Sequence, residues 1–156
     1  MSNRLPTLAL FGIFALLQSS AQVQFEHSDF KSAVEKARRL HKSIFVYFYT
    51  DWCAPCKQIS KIVFTDSRIR AVIDSQNVSL KLNAEKGEGV ALAKQYGVGG
   101  FPTFLYTQAD GHELGRTIGT RSNDDYLIVI KSSGRTDPGL DRRKKENANR
   151  DSSTKE

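Results

Sequence analysis

Two cysteines three residues apart are the strongest chemical signal in this chain of 156 residues, which holds no others. They lie in the stretch Thr50-Asp51-Trp52-Cys53-Ala54-Pro55-Cys56-Lys57. Such a pair can form a structural disulfide, supply part of a metal site, or cycle between dithiol and disulfide. The loop is too short for the first use to add much, because the chain-entropy gain from a cross-link grows with the loop it closes. A tetrahedral metal site needs two more ligands. His27, His41 and His112 are scattered singly and are expected at the surface. Reversible exchange suits the spacing best, and neither metal nor cofactor is expected. Exchange needs a thiolate, in-line access to a disulfide sulfur, and a second thiol to resolve the intermediate.

The flanking residues say how the pair is held. Ile44 to Tyr49 is short, uncharged, and rich in β-branched and aromatic residues, which predicts a buried strand. Ile59, Ile62 and Val63 recur at helical spacing on the other side. Cys53 then sits where a strand ends and a helix begins, with Cys56 one turn in. The first turn of a helix offers unpaired N–H groups and the positive end of the dipole, and both favour thiolate over thiol. Cys53 is therefore the expected nucleophile and Cys56 the buried resolving thiol. Pro55 fits a first turn, where a missing N–H costs little. Trp52 is expected to shield one side of the pair or simply to pack. Lys57 adds positive field or is an ordinary solvated lysine.

Trp-Cys-Ala-Pro-Cys-Lys after an apolar strand resembles the active site of thioredoxin-like proteins. Ser79-Leu80-Lys81-Leu82-Asn83 is similar to the family's third strand, and Gly119 to the glycine after its last strand. Tyr96-Gly97-Val98-Gly99-Gly100-Phe101-Pro102-Thr103-Phe104 is similar to the segment with its cis-proline. Cys56 and Pro102 are 46 positions apart, and two motifs at that separation are far more specific than the cysteine pair alone. Phe48-Tyr49-Thr50-Asp51-Trp52-Cys53 and Val63-Phe64-Thr65-Asp66 most resemble the periplasmic C-terminal domain of the thiol:disulfide interchange protein DsbD and its single-domain relatives. The resemblance implies a cis Phe101–Pro102 bond packed against the sulfurs. It also implies that Phe101 offers backbone N–H and C=O groups to an extended substrate strand. One position departs from the family. Thioredoxins carry a buried aspartate six residues before the first cysteine, where this chain has Tyr47. Lys81, which matches that aspartate's partner, is left without it. Water, Asp51 and Glu85 are then the candidate acceptors for the Cys56 proton.

Element signals run along the chain in order. Val23 to Phe25 is a candidate first strand, and Ser28 a candidate cap for a helix with Phe30, Ala33, Val34, Ala37 and Leu40 on one apolar stripe. The active-site helix is expected to reach about Phe64. Thr65 or Asp66 begins a further helical segment, with Ile69, Val72 and Ile73 apolar. Val78 to Leu82 is a strand, and Gly89 to Tyr96 a helix stopped at Gly97. Thr103 to Thr107 and Glu113 to Ile118 flank Asp110-Gly111, a hairpin signal. Ser122 caps a last helix over 123–131. Strands separated by helices imply parallel pairing, and the final hairpin adds antiparallel strands. The expected class is α/β: the thioredoxin fold, a central mixed β-sheet flanked by helices on both faces.

The ends read differently from the middle. Arg4, an apolar run from Leu8 to Leu17, and small residues through Ala21 predict a signal peptide over 1–21, cleaved after Ala21. The competing reading is an uncleaved anchor, but ten apolar residues fall short of the roughly 20 that span a bilayer. The domain is expected over 22–133. Residues 134–156 carry Arg142-Arg143-Lys144-Lys145 and too few apolar residues to order themselves, so they read as a disordered charged tail. That basic run could touch nucleic acid or anionic lipid, or stay solvated. The formal charge of +6 shrinks to about +3 without the ends and specifies no partner. The reading is a periplasmic, monomeric thiol:disulfide oxidoreductase that reduces disulfides of envelope proteins and is recharged by a membrane or soluble thiol reductant, without nucleic acid. Its rivals are an oxidase or isomerase, an apocytochrome c reductase, and a non-catalytic binding module.

Overall fold

The computed structural model describes residues 22–133, so the expected leader and the charged tail lie outside the described residues. In chain order the elements are β1 (Phe25–Glu26), α1 (Phe30–Leu40), β2 (Ser43–Tyr49), α2 (Ala54–Ile62) and α3 (Ser67–Gln76). They continue with β3 (Asn77–Asn83), α4 (Glu88–Gln95), β4 (Thr103–Thr107), β5 (Glu113–Ile118) and α5 (Asn123–Ser133). The five strands lie in the order β1-β3-β2-β4-β5. β3 runs parallel to both β1 and β2, while β4 is antiparallel to β2 and to β5.

Side-chain alternation along β2 builds two cores. Phe45 and Tyr47 face a cluster with Cys53, Cys56, Ile59, Phe64, Phe104 and Tyr126. Ile44, Val46 and Phe48 face the other way, against Ala33 and Ala37 of α1 and Leu92 and Ala93 of α4. A strand buried on both faces must be apolar throughout, which is why Ile44 to Tyr49 shows no polar alternation. On the first face an aromatic stack fixes the end of the active-site helix. Phe64 meets Tyr47 edge-on at 4.9 Å and stacks on Phe104 at 5.7 Å, and Phe104 stacks on Tyr126 at 4.8 Å.

Four expectations need correction. The cap of α1 is Asp29, not Ser28: its carboxylate accepts the Ser32 N–H at 2.7 Å, and capping requires the residue directly before the first helical one. β1 begins at Phe25 rather than Val23, because Val23 is buried with its N–H donated to the Phe64 carbonyl at 2.9 Å. Ile62 and Leu40 belong to apolar patterns but are 58% and 49% exposed. The buried face runs through Cys56 and Ile59 of α2 to Val63 at its C-cap, and Ile62 falls off that face. Finally, β4 is antiparallel to β2 although a helix precedes it. β3 ends beside Tyr49 and β4 starts beside Phe48, so 84–102 leaves and re-enters at one end of the sheet, and α4 is not a crossover. That return brings Phe101 and Pro102 to the end of the sheet where β2 delivers Cys53.

Candidate active site

Cys53 is itself the N-cap of α2. Its extended backbone turns its side chain back over the first turn, and its Sγ accepts the Cys56 N–H at 3.2 Å. Pro55 lies in that turn, where its missing N–H removes a competitor for the sulfur. An anionic sulfur at Cys53 would therefore meet a backbone donor and the positive end of the helix. The two cysteines form a disulfide with S–S 2.02 Å and Cα–Cα 5.3 Å. Both are 3% exposed, so burial does not separate them in the closed pair; the N–H on Cys53 Sγ does.

Behind α2, Tyr47 is fully buried and its hydroxyl donates to the Cys56 carbonyl at 3.0 Å. The Ser60 hydroxyl donates to the same carbonyl at 3.3 Å. Burial pushes the Tyr47 phenol well above its usual range. A neutral hydroxyl that stays protonated thus fills the place of a buried carboxylate. Lys81 pairs in register with Tyr47 on the next strand, yet its ammonium lies over the Tyr49 ring at 5.0 Å. A cation–π contact has replaced the ion pair.

The loop after β3 grips the residues before Cys53. Trp52 is 67% exposed, so it does not bury itself over the disulfide. Its indole N–H donates to Glu85 Oε1 at 2.8 Å, and its ring meets Phe101 edge-on at 6.0 Å. Asn83 bridges the loop, donating to Asp51 Oδ1 at 3.0 Å and accepting the Glu85 N–H at 2.9 Å. Lys86 closes on Asp51 Oδ2 at 2.6 Å. That lysine, with help from Asn83 and Lys57, holds the Asp51 carboxyl below its usual range. Both carboxylate candidates for the Cys56 proton are therefore engaged elsewhere, and Asp51 is a weaker base than an ordinary aspartate. Lys57 is exposed on the outer side of α2.

The Phe101–Pro102 peptide is cis. Pro102 is buried, and its carbonyl accepts the Gly119 N–H at 2.9 Å, a residue that needs its positive φ of 81° to turn there. Phe101 is half-buried against both cores. Among the described residues, neither of its peptide groups has a backbone partner. Sequence reasoning missed Asn83 and Lys86, and treated Glu85 only as a proton acceptor. Nothing local marks them, since their partners are more than 30 positions away.

A family model described as a thioredoxin-like domain matches residues 30–133. The thiol:disulfide interchange protein DsbD of Ralstonia nicotianae is 27% identical over 67% of this chain and 17% of its own length. That of Colwellia psychrerythraea is 28% identical over 84% of this chain and 21% of its own length. The chain thus spans about a fifth of these curated relatives. Among solved structures, a candidate disulphide-isomerase from Bacteroides thetaiotaomicron aligns with TM-score 0.66 and 35% identity, covering 76% of this chain and 99% of that one. The reduced C-terminal domain of Neisseria meningitidis DsbD aligns with TM-score 0.56 and 25% identity, covering 66% and 92%.

Proposed function

The chain belongs to the thioredoxin-like domain family, and from that premise we propose that it is an exported thiol:disulfide oxidoreductase that reduces disulfides in proteins of the cell envelope. The observation that carries this reading is the Cys53–Cys56 disulfide at the start of α2, with a backbone N–H already on Cys53 Sγ. The cycle starts from the dithiol. The Cys53 thiolate attacks one sulfur of a substrate disulfide, a mixed disulfide forms, and the other substrate sulfur leaves as a thiolate. Cys56, deprotonated, attacks Cys53 Sγ, the second substrate thiolate leaves, and the internal disulfide is restored. Two electrons pass to the substrate, and its thiolates take up the two protons the dithiol gives away. A membrane or soluble dithiol then recharges the pair.

The surrounding residues hold and present the reacting atoms. Phe101 offers free peptide groups to an extended segment, Pro102 shapes the wall beside it, and Trp52, braced by Glu85, borders the same cleft. Lys57 adds positive field one residue beyond Cys56. The likeness to DsbD supports the reductive direction, and the apolar run over residues 8–17 supports export to the periplasm. A second reading, oxidase or isomerase, draws on the likeness to the candidate disulphide-isomerase.

The reduction potential separates the two. Trp52 is the only tryptophan and adjoins Cys53, so its fluorescence follows the equilibrium in a thiol buffer. A value near or below about −230 mV fits a reductase, and about −120 to −180 mV fits an oxidase or isomerase. A pair that never equilibrates defeats both readings and leaves a binding module. Cys56→Ser is expected to trap the substrate as a mixed disulfide. Cys53→Ser should abolish turnover, whereas a binding module would keep its partner.

A further inference from the structure

An aromatic side chain as exposed as Trp52, at 67%, ordinarily moves among rotamers on a fast timescale. This one is tethered at two points. Its indole N–H donates to Glu85 Oε1 at 2.8 Å, and its ring meets Phe101 edge-on at 6.0 Å. The first tether comes from the loop after β3, 33 positions along the chain. That loop is anchored without help from the Glu85 side chain. The Ala84 N–H donates to the Tyr49 carbonyl at 2.9 Å, and the Glu85 N–H to Asn83 Oδ1 at 2.9 Å. Asn83 and Lys86 both hold Asp51. A side chain at Gly89 would collide with the Asn83 carbonyl, so α4 begins directly against the loop. The Glu85 carboxylate thus reaches Trp52 from a fixed base.

Trp52 adjoins Cys53, and the peptide groups of Phe101 have no backbone partner among the described residues. The two rings therefore frame the place where a substrate chain would lie beside the sulfur. With its N–H spent on Glu85, the indole presents carbon to that chain. Association normally has to immobilise such a side chain at an entropic cost. Here the tether has done so beforehand.

We propose that Glu85 is a positioning residue for protein substrates: it fixes Trp52 as a preformed wall of the cleft and takes no part in moving the Cys56 proton. The proposal rests on the redox reading, in either direction of electron flow. A protein disulfide brings a chain that runs on past the cysteine and lies against Trp52. A small disulfide attacked by Cys53 has no chain to lay there.

Steady-state reduction of insulin, with dithiothreitol as the recharging dithiol, is compared with reduction of hydroxyethyl disulfide. Having to immobilise one more side chain weakens a binding step roughly three- to ten-fold. Glu85→Ala should raise KM for insulin by about that factor with little change in kcat. The ratio of kcat/KM for insulin to that for hydroxyethyl disulfide should fall to match. Glu85→Gln should restore both, since its amide oxygen accepts the indole N–H. In a Trp52→Phe background, which has no N–H to tether, Glu85→Ala should add nothing. Fluorescence anisotropy of Trp52 should drop in Glu85→Ala and recover in Glu85→Gln. A parent inert toward both disulfides sinks the redox reading and the proposal with it. With an active parent, an unchanged KM for insulin overturns the proposal alone. Equal slowing with both disulfides, or failure of Glu85→Gln to rescue, also overturns it, because either result makes Glu85 an acceptor for the Cys56 proton.

Discussion

Replacing Tyr47 with phenylalanine removes one oxygen and keeps the ring. The ring contacts with Phe64 at 4.9 Å, Phe104 at 5.5 Å and Tyr49 at 5.8 Å survive. What is lost is the 3.0 Å bond to the Cys56 carbonyl. A buried hydrogen bond nets about 1 kcal/mol, and leaving a buried acceptor unpaired adds about 1–3 kcal/mol. Here the second cost is avoided, because Ser60 still donates to that carbonyl at 3.3 Å. Tyr47→Phe should therefore cost about 1 kcal/mol, or about 4 °C in Tm for a domain of this size. The assay is thermal unfolding of the oxidised protein. Ser60→Ala alone should cost less, since Tyr47 remains. The two together should exceed their sum by about 0.5–1 kcal/mol, because only then does the carbonyl lose both hydroxyl donors. A neutral or stabilising Tyr47→Phe, or strict additivity, refutes the idea that these hydroxyls jointly brace the active-site turn.

Burial raises the phenols of Tyr47, Tyr106 and Tyr126. An unfolded tyrosine ionises near about pH 10, so their contribution is whole below that pH and is lost above it. The urea midpoint should hold to about pH 9.5 and fall as pH rises past about 10, less steeply in Tyr106→Phe; a profile flat across that rise contradicts this. At the acid end, Asp66 caps α3 and is held far below the usual carboxylate range, chiefly by hydrogen bonding from Arg68. Its stabilisation is complete above about pH 4 and fades as pH drops further. Asp66→Ala should cost about 1–2 kcal/mol at neutral pH, with the gap to the parent closing toward pH 2 in denaturant titrations. Tyr47→Asp should speed the resolving step by supplying a base behind α2. Single-turnover release of a trapped thiol measures this, and an unchanged rate counts against it.

What the sequence disclosed follows from how local each interaction is. β4 and β5 were legible because Asp110-Gly111 and the β-branched runs beside it set their limits within a few residues. Strand–helix placement of Cys53 followed from apolar runs on either side of it. The cap of α1 was missed by one residue because Ser28 and Asp29 are both good caps, and only the backbone decides between them. The direction of β4 escaped the rule for helix-separated strands, since that rule presumes a helix which carries the chain to the other end of the sheet. Trp52 with Glu85, and Asp51 with Asn83 and Lys86, were invisible for a different reason. Each joins side chains whose proximity exists only after β2 and β3 have paired.

The Cys53–Cys56 bridge spans three positions, and this brevity ties folding to redox chemistry. Closing so small a ring barely restricts the unfolded chain, so unfolded oxidised and unfolded reduced chains behave almost as the same reference. Any difference in stability between the two folded forms must then reappear in the thermodynamic cycle as a displacement of the redox equilibrium from that of an unstructured peptide. The exchange rate is about 20 mV for each kcal/mol. A domain that hands electrons on is one whose bridged form melts later than its dithiol form. Two melting curves, with and without reductant, thus rank its driving force without any partner protein in the tube.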